Sequence, residues 1–172
     1  MRRKAGSMSY YNAGNMALFS VCCSTCAPNF KSGWMAVNLS LDNHLIGATE
    51  EITQIDTFLN MINVKFDNYD LDYADSLRNL DKSAVISQIE QGYEHAQNWI
   101  DSSKIGALFL SLNLTPCLDG VVVILLMLET TDRVIWRAHD DDVVREIFLP
   151  PGYVKNTLND VINFFSPPKN HD

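Results

Sequence analysis

Three clusters in this sequence hold residue types that do chemistry. Cys23-x-x-Cys26, inside "CCSTC", has the spacing of a redox pair or of half a zinc site. "DNYDLDYAD" packs Asp67, Asp70, Asp72 and Asp75 into nine residues, a density that suggests calcium. "RAHDDDVVRE" sets His139 beside Asp140, Asp141 and Asp142, the ingredients of a metal-dependent hydrolytic site.

Each cluster has a plainer reading. A redox Cys pair must open a helix, where the dipole lowers the thiol pKa, but here "APNFKSGW" leads into a strand pattern. Zinc requires two more ligands, and the candidates, Cys117 and His44, have no paired spacing, so Cys22, Cys23 and Cys26 read as buried or loop thiols. The calcium pattern fails because Tyr69 and Leu71 occupy the alternating positions, with no glycine or closing glutamate in register. Successive aspartates on a turn diverge, so Asp140–Asp142 cannot all reach one ion, and aspartate favours turns in its own right. His95 belongs to neither H-E-x-x-H nor its inverse, and the sequence has no G-x-S-x-G, phosphate-cradling loop or dinucleotide fingerprint. The residues point to no enzyme, no cofactor and no metal. Solvated turns and a docking surface for a basic protein both remain open for the two acidic clusters.

Composition narrows the class. The 172 residues fit one domain, and 47% hydrophobic with 20% charged residues is a globular composition. Thirteen bases against 21 acids give −8; without residues 1–16, 10 bases face the same 21 acids, near −11. Direct nucleic-acid binding, which depends on Lys and Arg displacing counterions, is disfavoured, whereas a basic protein would be drawn in. The four cysteines do not form a spaced disulfide framework, which suits a reducing cytoplasm. "MALFSVCC" is too short for a secretory core, and "VVVILLML" (121–128) is too short to span a membrane. Residues 1–15 read as a flexible lead, 16–166 as a single domain and 167–172 as a disordered tail.

Periodicity supplies the elements that must position these clusters. Strands are expected at 17–23 and 33–41, with Asp42-Asn43 as a hairpin turn. Ile52, Ile55, Phe58, Leu59 and Ile62 form a helical stripe. After the acidic loop, Val85, Ile86, Ile89, Tyr93, Ala96 and Ile100 form a second, capped by Asp81 or Ser83. "ALFLSLNL", "VVVILLMLE", "RVIWRAH" and "VVREIFLP" read as successive antiparallel strands, with 121–128 central, and Val154 to Phe165 as a last helix. Trp34 and Trp136 read as core residues. The fold class is α+β: one antiparallel sheet with about three helices packed on it.

Two stretches carry a family resemblance. "GWMAVNLSLDNHLIGATEEITQIDTFLNMI" and "VIWRAHDDDVVREIFLPPGYVKNTLNDVINFF" resemble the immunity proteins of bacterial polymorphic-toxin and contact-dependent-inhibition systems, above all immunity family forty-two, over most of residues 17–165. The acidic "FDNYDLDYADSLRN" and the cysteine-rich start depart from that pattern. The resemblance implies a cytoplasmic, non-catalytic protein that binds and blocks a cognate toxin domain, a basic nuclease among the commoner kinds. The contacts it implies are His139, Asp140, Asp141, Asp142 and Asp119, with Asp67, Asp70, Asp72 and Asp75 as the rival surface. The competing class is a small metal-dependent hydrolytic enzyme built on His139 and Asp140–Asp142.

Overall fold

The computed structural model describes residues 8–25, 28–48, 50–139 and 141–166. Its elements run β1 (Ser9–Asn15), β2 (Phe19–Thr25), β3 (Trp34–Leu41), β4 (His44–Ile46), β5 (Thr53–Gln54), α1 (Ile55–Asp67), α2 (Leu71–Ser76), α3 (Lys82–Glu94) and α4 (Trp99–Leu108). They continue through β6 (Val122–Met127), β7 (Asp132–Arg137), β8 (Arg145–Leu149) and α5 (Tyr153–Phe165). The α+β class holds, with five α-helices and two antiparallel sheets among the described residues, one ordered β1-β2-β3-β4 with β5 also on β3, the other β6-β7-β8.

Alternation builds the first sheet. Phe19, Val21 and Cys23 of β2 pair with Leu41, Leu39 and Val37 of β3, and all six enter the main core. Asp42 and Asn43 turn the chain with φ of 49° and 62°, the left-handed pair that a tight hairpin requires and that these two residues tolerate. β1 lies in the stretch expected to be a flexible lead. Its Tyr11 and Ala13 face the main core, and Tyr11 stacks on Phe164 at 3.8 Å between ring centroids. Residues 1–7 of that lead and the expected tail, 167–172, lie outside the described residues.

The second sheet is buried on both faces, which explains the unbroken apolar run of β6. Val123 and Leu125 enter the main core between the sheets, α1 and α5; Val122, Ile124 and Leu126 enter a second core with Ala74, Val85, Ile86, Ile89 and Leu108. β7, rather than β6, is the central strand. The expected strand at 107–114 is instead the end of α4 followed by turns. Only Phe109 bridges Ile124, and Leu108, Leu110 and Leu114 are buried without a ladder, so alternating leucines imitate a strand here.

The helical layer departs from expectation twice. The acidic loop contains α2, because the Asp70 side chain accepts from the Tyr73 N–H at 3.0 Å and nucleates a turn. The second helical stripe is two helices. Asp81 caps α3 as expected, by accepting from Ser83 and Ala84, but α3 stops at Glu94, and Asn98 starts α4 by accepting from Asp101.

α5 is capped from a distance. Gly152, at φ 74°, has no side chain to cap the helix; the buried Asp132 of β7 accepts from the Gly152 N–H at 3.0 Å and the Val154 N–H at 2.9 Å. Burial raises the Asp132 pKa, against the pull of those backbone bonds. Removing the carboxylate orphans two backbone donors. Asp132→Ala is expected to lower the unfolding free energy in urea by about 2–4 kcal/mol, with Asp132→Asn losing less because one acceptor remains; equal stability of wild type and alanine variant would contradict this.

Candidate functional site

Two surfaces collect the candidate residues, at opposite ends of β6. At the end where Val122 pairs with Arg137, three loops converge: the β3–β4 turn, the Asp119-Gly120 turn before β6, and the loop joining β7 to β8. His139 lies directly on Gly120, since a Cβ there would stand 2.5 Å from the ring Cδ2. Gly120 holds φ 76°, so both the conformation and the close approach require glycine. His44 projects from the neighbouring turn, its ring centroid 6.4 Å from that of Trp136.

The loop aspartates divide the work. Asp141 accepts from the Val143 N–H at 2.8 Å and from Arg145 Nη1 at 2.6 Å. Those two bonds, the backbone one first, hold its pKa below the usual carboxylate range, with His44 adding a smaller electrostatic contribution. Asp141 therefore shapes the loop. Asp119 and Asp142 are exposed and form no ion pair among the described residues; Asp140 lies outside them.

The other surface lies across β6, where Tyr69 donates its hydroxyl to Leu125 O at 3.0 Å and accepts from the Met127 N–H at 2.6 Å. Here too the carboxylates split. Asp70 caps α2 and takes a 3.0 Å bond from Lys104 Nζ, and these two contacts, the backbone one first, lower its pKa. Asp75 pairs with Arg78 at 3.1 Å. Asp67 and Asp72 are exposed and line a groove of about 440 Å³, whose walls include Leu71 and Ile100. A second groove of about 150 Å³ runs between α1 and α4 past Val64 and Tyr93, and the two meet at Asn68. Lys65 forms its floor, buried, and donates to Gly106 O at 3.0 Å and Phe109 O at 2.8 Å at the end of α4.

Sequence patterns missed Leu71, Trp99 and Ile100. All three are largely exposed, at 62%, 72% and 54%. Leu71 is hidden by its aspartate neighbours, and Ile100, with Trp99 beside it, falls on the extrapolated stripe of α3, although both belong to α4 and are exposed. Trp136 is buried as expected. Trp34, expected in the core, is 43% exposed, because it opens β3 on the face opposite Met35 and Val37.

The thiols are structural. Cys22, Cys23 and Cys117 are buried and unpaired, and burial pushes the Cys23 thiol up to about 12. Cys117 fills the gap on β3 between β4 and β5, accepting from the Val37 N–H and donating to Glu51 O. Cys26 lies outside the described residues. Among those described, no three His, Cys, Asp or Glu side chains are placed to hold a metal ion.

The model of the family described as Immunity protein 42 matches residues 13–164, from within β1 to within α5. The chain belongs to the Immunity protein 42 family. The resemblance carried by its Gly-Trp strand and its Pro-Gly step is thereby borne out, departures in the acidic segment notwithstanding. The crystal structure of CdiI from Burkholderia dolosa AUO158 has a similar fold: TM-score 0.61 and 14% identity, covering 89% of this chain and 99% of that one. None of the curated proteins compared with the chain matches it.

Burial lowers the Lys65 pKa from 10.5 to about 8. Below about pH 8 the ammonium is charged in both folded and unfolded chains, and the fold bears its full desolvation cost. Between about pH 8 and 10 the folded chain has released the proton while the unfolded chain retains it, so stability rises with pH. The unfolding free energy of the wild type minus that of Lys65→Met is expected to climb across this window; a difference independent of pH would contradict it.

Proposed function

We propose that this immunity protein binds a toxin domain, a nuclease, and blocks it by presenting carboxylates to the basic cleft that otherwise receives phosphates. The observation that carries this reading is the combination of family membership with open acid: Asp67, Asp72, Asp119 and Asp142 stay exposed, while Asp70, Asp75 and Asp141 are engaged in capping and pairing. A net charge of −8 repels nucleic acid and attracts a basic protein, raising the encounter rate. Neutralisation by occlusion requires no cofactor and no chemical step. Protection from within the cytoplasm suits this reading, and among the described residues no helix is long and apolar enough to cross a membrane.

Co-expression with the toxin encoded beside this chain tests the direction of the activity, and association kinetics test its electrostatic basis. Asp119→Lys with Asp142→Lys alters the three-loop end, and Asp67→Lys with Asp72→Lys alters the helical surface, neither touching a carboxylate that holds the fold. At least one pair is expected to slow association by about tenfold at low salt and to flatten its salt dependence. Unchanged rates in both would contradict acidic capture, and a toxin that kills despite the wild-type chain would contradict the immunity reading itself.

A further inference from the structure

We infer that the toxin docks on the face made by the C-terminal half of α1, the start of α2 and the N-terminal half of α4, with Leu71, Trp99 and Ile100 as apolar anchors. This placement rests on the reading of the chain as a toxin-binding immunity protein. Charge brings partners together, but affinity comes from a few desolvated side chains, with tryptophan prominent among them.

On this face the exposed apolar side chains gather around two adjoining grooves. Leu71 and Ile100 both line the larger of the two, Val64 and Tyr93 line the smaller one, and Asn68 lines both. Trp99 stands on the α4 N-terminus beside Ile100, with most of its surface in water. The three-loop end offers only aliphatic exposure from Leu45 and Val143. Its charges suit steering rather than anchoring.

The charges define the occupant. Asp67 and Asp72 line the groove with no ion pair among the described residues, whereas Asp70 is already held by Lys104. The fitting partner is a protein surface that inserts an apolar side chain between Leu71 and Ile100 and brings lysine or arginine to Asp67 and Asp72. Phosphate would be repelled, and a second copy of this chain would set the same carboxylates against each other. The face is also prepared in advance. Asp70 joins α2 to α4, and Lys65 joins α1 to the end of α4, so little ordering remains for the moment of binding.

Binding of an inactive form of the toxin domain encoded beside this chain tests the placement. Leu71→Glu, Ile100→Glu and Trp99→Ala are each expected to raise Kd by about tenfold or more, chiefly through faster dissociation. Leu45→Glu and Val143→Glu, at the three-loop end, should stay within about threefold of wild type. Trp99→Ala removes a side chain that is 72% exposed and belongs to neither core, so its result is independent of any folding loss in the glutamate variants. If the wild type binds and the Leu71, Ile100 and Trp99 variants bind equally tightly, the placement is wrong and the function stands. If the wild type does not bind, both fall.

Discussion

The second sheet, buried on both faces, is the constraint from which the rest of the molecule follows. One face closes the main core with the first sheet, α1 and α5, so the other must be covered by α2, α3 and α4. Apolar packing alone leaves such a layer free to slide, and polar groups at its margins fix its register. Tyr69 bonds to two backbone groups on one edge of β6, Leu125 O and Met127 N–H, and the buried Arg133 reaches Arg78 O and Leu80 O while pairing with Glu146 at 2.8 Å. Arg137 reaches Glu90 at 2.9 Å at the other end of α3. Breaking the Tyr69 and Arg133 ties is costly because each leaves a desolvated polar group behind. The outward faces of the three helices are thereby held in one arrangement.

Acidic residues perform two jobs, and the structure separates them. Asp70, Asp81, Asp132 and Asp141 accept backbone N–H bonds, starting helices or closing turns. Their carboxylates are engaged by the chain's own backbone. Asp67, Asp72, Asp119 and Asp142 project into solvent, where they set the field that an approaching partner meets. Net charge therefore overstates the recognition surface, and position relative to a helix start or turn decides which carboxylate belongs to it.

Much of this was legible in the chain. The Asp42-Asn43 turn, the Asp81 cap, the two-sided burial of β6 and the stripe of α5 follow from local rules and were readable as such. What escaped depended on contacts distant in sequence. Asp132 caps a helix twenty residues onward, which no local pattern announces. The leucines of 107–114 alternate like a strand because two different layers bury them. β1 carries no local strand pattern, because Tyr-Tyr-Asn-Ala-Gly-Asn gains its strand character from β2 and from aromatic packing on α5. The acidic clusters were visible as clusters, but not the division of labour within them, nor the exposure of Leu71, Trp99 and Ile100, which depends on where α3 ends.

An occluding protein and an enzyme differ most plainly in stoichiometry. Titrating this chain into a fixed amount of a cognate toxin domain, with residual toxin activity as readout, should give a linear fall to a break at a fixed molar equivalence, unmoved by longer incubation. Progressive loss of toxin activity at a small fraction of that equivalence would show turnover, and would contradict an account built on carboxylates and apolar anchors that do no more than hold a partner.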